Sequence, residues 1–176
     1  MSIIITILLV AAGIIALLLI IALFIKREHY VKREIIINAP RQKVFDYVKL
    51  LKNQDEFNKH AMAGPDRNRE YKGTDGTVGF IYAWKGNKNA GEGEKEIKNI
   101  VEGEMIEMEI RFVKPMVTSA NIIMETASLS DDQTKVSWSN AGTLKYPVNI
   151  FVPIMEKMLP KEMDESLTTL KSILEK

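Results

Sequence analysis

Apolar and polar positions divide this chain into two unequal parts. From Ile3 to Ile25 the run is broken by nothing more polar than Thr6 and Gly13. At the helical rise it predicts a helix of roughly 34 Å, slightly more than a bilayer's hydrocarbon core. The run exceeds a signal-peptide apolar region. It also lacks a basic residue before it and a small-residue cleavage signal after it.

Residues 26–176 show shorter periods. Tyr30 to Asn38 is rich in β-branched residues and predicts a strand, with Asn38 as helix N-cap and Pro40 in the first turn. Val44, Phe45, Val48 and Leu51 recur at helical spacing, which predicts a short amphipathic helix over 40–51. A second short helix is expected over 54–60, broken at Gly64-Pro65-Asp66. Turn clusters then separate six strand-length segments near 67–72, 77–84, 90–101, 104–113, 119–129 and 134–143. Within the fourth, Ile106, Met108, Ile110 and Phe112 alternate with charged residues, as in a sheet packed on one face. The spacing favours antiparallel hairpins over βαβ crossovers. Met163, Leu167, Leu170 and Leu174 form the apolar stripe of a closing helix. That helix should start near Val148, with Pro153 in its first turns and a kink or break at Pro160.

Charge gives the pattern a direction. Lys26 and Arg27 follow the apolar run at once, Lys32 and Arg33 lie close behind, and no charged side chain precedes it. The positive-inside tendency places the N-terminus outside and the rest in the cytoplasm. The expected organisation is a transmembrane helix over 3–25, a link over 26–29 and one domain over 30–176, large enough to enclose a cavity. The formal net charge of +1 comes without a basic face, so nucleic acid is not an expected partner. The chain has no cysteine, which removes disulfides, thiolate nucleophiles and cysteine-type zinc sites.

Strand, two short helices, six strands and a long helix give an α+β order. The chain resembles the SRPBCC superfamily (START-like, helix-grip fold), and most nearly its polyketide cyclase/dehydrase and lipid-transport branch. The resemblance rests on Ile35-Ile36-Ile37-Asn38-Ala39-Pro40 with Val44-Phe45-Asp46-Tyr47-Val48, and on Gly91-Glu92-Gly93-Glu94 before Ile97. Thr134-Lys135-Val136-Ser137-Trp138 ahead of Gly142 and the closing Leu167-Thr168-Thr169-Leu170-Lys171 complete it. It implies a curved sheet of about seven antiparallel strands around the C-terminal helix, with a cavity between them. A superfamily of lipid carriers, hormone binders, cyclases and chaperone cofactors does not fix the function.

Candidate chemistry is sparse. His29 and His60 lack partners at metal-ligand spacing and read as solvent-exposed, so no metal and no cofactor is expected. No phosphate-binding glycine loop or nucleophile elbow occurs. Glu92, Glu94 and Glu96 share one strand face and read as a solvated row; a bulge at Gly91 or Gly93 would turn one inward. Glu94 is therefore one candidate cavity carboxylate, and Glu125, where the alternation through Ile122-Ile123-Met124 is ambiguous, is the other; burial would convert either into a general acid or base. Tyr82, Trp84, Trp138 and Asn140 are candidate cavity-wall residues, and so are Met108 and Met124, whose thioethers suit an adaptable apolar pocket as well as core filling. The apolar stretch from Tyr146 to Met155 reads as core packing or as a membrane-facing patch. Three functions stay open: a membrane-anchored domain binding a lipid or other apolar small molecule, a cyclase- or dehydratase-like enzyme, and a protein-interaction module.

Overall fold

The computed structural model describes residues 2–62, 68–86 and 91–176, apart from the side chains of His60 and Met62. The predicted break at 64–66 therefore lies outside the described residues. Helix α1 runs from Ile3 to Phe24 and is apolar on every side. Such a helix has no face to turn towards a soluble core; only Ala22 is buried. It is long and apolar enough to cross a membrane.

Strand β1 (Glu28–Ile37) begins almost immediately, two residues earlier than the periodicity suggests. Helix α2 (Arg41–Val48) buries Val44, Phe45 and Val48. Asn38 does not cap it. Pro40 holds the N-cap position, and the Asn38 side chain instead accepts from Gln133 Nε2. Leu51 opens a short 3-10 turn, and the helix predicted over 54–60 is split into α3 (Gln54–Phe57) and α4 (Lys59–Met62) by an extended Asn58.

Six further strands follow: β2 (Asn68–Lys72), β3 (Ile81–Lys85), β4 (Glu92–Val101), β5 (Met105–Lys114), β6 (Thr118–Ser130) and β7 (Gln133–Thr143). Residues 77–79 are turn rather than strand, because Gly76 and Gly79 take positive φ and Phe80 N donates back to Thr77 O. All seven strands form one antiparallel sheet in the order β1-β7-β6-β5-β4-β3-β2.

Helix α5 (Val152–Leu174) lies across the inner face and buries Met163, Leu167, Leu170 and Leu174. It continues through Pro160 without a break. The missing N–H costs one backbone bond, and the apolar stripe on both sides of Pro160 keeps the two halves seated on the same sheet. At the end of the sheet remote from α1, Ile37, Ile97, Ile106, Met108, Met124 and Leu170 fill the interior.

Two connections tie α1 to the domain. Asn149 Nδ2 donates to both Ala22 O and Ile25 O at 2.7 Å, satisfying carbonyls that a helix end leaves unpaired. Lys26 Nζ pairs with Glu156 Oε1 of α5 at 2.6 Å.

Candidate functional site

The inner face changes character towards the end of the sheet from which α1 leaves. Inward positions there carry Gly93, Ala120 and Gly142 in place of the large residues of the packed end. The volume they leave open becomes a cavity of about 330 Å³ between the sheet and α5, at the lower end of the range for small-molecule sites. Its wall is mainly apolar, with Ile110, Phe112 and Ile122 from the sheet and Met155, Leu159 and Met163 from α5. Gly91, Lys114, Thr118 and Ser119 also line it, so the cavity reaches the rim of the sheet at the end from which α1 leaves.

Two glycines are set by close approach. A Cβ on Gly93 would meet the Trp84 indole at 2.7 Å and Arg111 O at 2.6 Å; one on Gly142 would meet His29 Cε1 at 2.6 Å. Their absence of side chain lets the indole and the imidazole lie flat against neighbouring strands.

Of the residues singled out in the sequence, Trp84, Trp138 and Asn140 line the cavity. Tyr82 is buried but lies outside that lining, held by Asp55 and Arg69. Its hydroxyl donates to Asp55 Oδ1 at 2.5 Å and accepts from Arg69 Nε at 3.1 Å. Burial and the Asp55 carboxylate push the phenol well above its ordinary range. Met108 and Met124 belong to the packed end; Met108 Sδ accepts from Gln54 Nε2 at 3.4 Å.

Glu94 and Glu125 sit on the outer face. Glu94 pairs with Arg111 at 2.8 Å, beside Glu96 and Glu109, and Glu125 pairs with Lys32 at 3.3 Å. The register does shift between Glu92 and Gly93, but the extra residue is Val113 of β5, so β4 keeps its alternation and Glu94 stays outward. The carboxylate that does line the cavity is Glu162 of α5. His29 is a further correction. Because β1 starts at Glu28, alternation turns His29 inward, where it is buried and Nε2 bonds Asn140 Oδ1 at 2.9 Å.

Lys95 is the residue the sequence reading missed. It faces the cavity between Gly93 and Ile97 and is 8% exposed. Its Nζ donates to Gln54 Oε1 at 2.5 Å, and among the described residues it makes no ion pair. Burial pushes its pKa down to about 8, although the nearby Asp55 charge pulls the other way. Asp55 is already paired with Arg69 at 2.8 Å. Two more donors close the polar side of the wall: Trp84 Nε1 and Trp138 Nε1 are buried without a partner.

Backbone comparison gives this arrangement relatives. Truncated norcoclaurine synthase from Thalictrum flavum superposes with a TM-score of 0.64 at 12% identity, covering 84% of this chain and 94% of that one. The Aha1 protein of Colwellia psychrerythraea gives 0.58 at 14% identity, covering 84% and 96%. A Chromobacterium violaceum protein gives 0.61 at 14% identity, covering 84% and 97%. The fold is the helix-grip. At these identities the likeness shows the fold alone. No protein-family model and no curated protein sequence matches the chain. What the helix-grip contributes is the position of the cavity between sheet and closing helix; the residues lining it are this chain's own.

Proposed function

We propose that this chain is a membrane-tethered binding domain whose cavity takes up an apolar small molecule from the bilayer beside it. The observation that carries the reading is an apolar cavity reaching the rim of the sheet at the end from which α1 leaves. Around that rim, apolar side chains stand in the open. Val117 is 88% exposed, and Phe151, Ile154 and Met158 are each about half exposed. Exposed apolar side chains around a cavity mouth are costly in water and favourable at a headgroup boundary. The two Asn149 bonds to α1 hold this rim beside the membrane-spanning segment. The charge pattern after Phe24 supports a cytoplasmic position for the domain.

Glu94 and Glu125, the carboxylates that the enzyme reading drew on, are ion-paired on the outer face, and the carboxylate in the cavity lining is Glu162 instead. A module acting through its surface has no use for an interior cavity, and this interior holds one.

The test uses the full chain in phosphatidylcholine nanodiscs. Trp84 and Trp138 are the chain's two tryptophans and both line the cavity, so its fluorescence reports occupancy. Methyl ω-bromoundecanoate, a neutral heavy-atom quencher, should quench them in a saturable manner, with reversal by the unbrominated ester. Quenching that merely rises in proportion to probe in the bilayer would contradict the proposal.

A further inference from the structure

The polar groups facing the cavity are unbalanced. Trp84 Nε1–H and Trp138 Nε1–H are buried donors without acceptors. Both residues are more than nine-tenths buried. The Lys95 ammonium has three donors and spends one on Gln54. A buried ammonium without a counter-charge is among the costliest arrangements in a protein interior. The charged groups around it do not relieve that cost. Asp55 is committed to Arg69 and Tyr82, and Lys114 at the rim pairs with Glu92. Glu162 lines the same cavity from α5 without pairing Lys95. Among the described residues the inner wall thus offers two indole donors, the unpartnered His29 Nδ1 and one cation, with Glu162 on the facing helix.

Resting on the binding reading above, we infer that the ligand is an apolar monocarboxylate, its acid group received by Lys95 and its apolar body lying along Ile110, Phe112, Ile122 and Leu159. A carboxylate supplies the missing counter-charge and enough lone pairs to accept from Lys95 and an indole together. An alcohol, ester or hydrocarbon of the same shape fills the volume but leaves the charge unmatched.

The experiment compares ω-bromoundecanoic acid with its methyl ester on the full chain in the same nanodiscs at neutral pH. The wild-type protein should bind the acid at least about tenfold more tightly, as expected of a hydrogen bond to a charged group. The ester partitions more strongly into lipid, so bilayer dissolution biases against this result. Lys95→Met should erase the preference while ester binding persists.

Equal binding of acid and ester by the wild type would overturn the acid subsite and leave the cavity reading intact. Saturable binding of neither would remove both. The wild-type comparison decides the question even if Lys95→Met fails to fold. Displacement by unbrominated undecanoic acid marks a chain acid drawn from the bilayer. Displacement by naphthylacetic acid alone marks a water-borne aromatic acid. Either keeps the subsite.

Discussion

Lys95 Nζ donates to Gln54 Oε1 at 2.5 Å, joining the fourth strand to the short helix that covers it, and among the described residues no carboxylate completes the pair. Gln54 in turn donates to Met108 Sδ, so the amide is fixed between the cavity and the packed core. The ammonium is held in place by a neutral acceptor and left electrostatically open.

That arrangement gives a pH signature in ligand-free protein. The folded pKa of Lys95 is depressed to about 8 from an ordinary 10.5, so the unfolded chain binds more protons between those values. Stability should therefore rise with pH through that window as the folded state sheds its buried charge, by up to about 3 kcal/mol from this group. Denaturant unfolding of wild type and Lys95→Met at matched pH isolates the increment, because other groups cancel. The Met variant should be the more stable at pH 7, with the gap closing towards pH 10. A gap independent of pH would show that Lys95 is not charged and buried in the free protein.

Gly93→Ala should disturb the cavity wall rather than the sheet at large. The added Cβ would meet the Trp84 ring and the Arg111 carbonyl. A cost of about 1–3 kcal/mol is expected, with a shift in tryptophan emission as the indole moves. An unchanged spectrum would contradict the close approach.

Asn149→Ala removes two hydrogen bonds to the end of α1. The junction should loosen by about 1–3 kcal/mol, read as faster trypsin cleavage after Lys26 or Arg27 in nanodiscs. Cleavage at the wild-type rate would mean that these bonds do not hold the domain to its helix.

The absence of cysteine makes topology easy to probe. With Lys176→Cys as the single thiol, a membrane-impermeant maleimide should label the chain only after cells are permeabilised. Labelling in intact cells would put the domain on the other side.

The fold was legible in the sequence because one-sided burial writes itself as period. Ile106, Met108 and Ile110 alternate, Met163 to Leu174 step by helical turns, and the structure buries both sets. Boundaries were less legible where a neighbour decided them. Asn38 is drawn to Gln133, and β1 starts against the end of α1, which turned His29 inward. The site was half legible. Glu92, Glu94 and Glu96 stood out as chemistry, yet if those side chains face out, Gly93, Lys95 and Ile97 must face in. A lysine between an inward glycine and an inward isoleucine was the available signal. Tyr82 shared the right face, but its partner Asp55 comes from a helix that strand alternation does not describe.

A small apolar ligand held in the helix-grip interior at the membrane should travel with the protein. Native mass spectrometry of the full chain, released from nanodiscs made with its own membrane lipids, tests it most directly. Wild type should carry a small-molecule adduct below lipid mass. Ala120→Phe, which places a ring in the cavity, should lose that adduct while keeping cooperative unfolding. A bare wild-type mass, or an adduct retained with the cavity filled, would contradict the account.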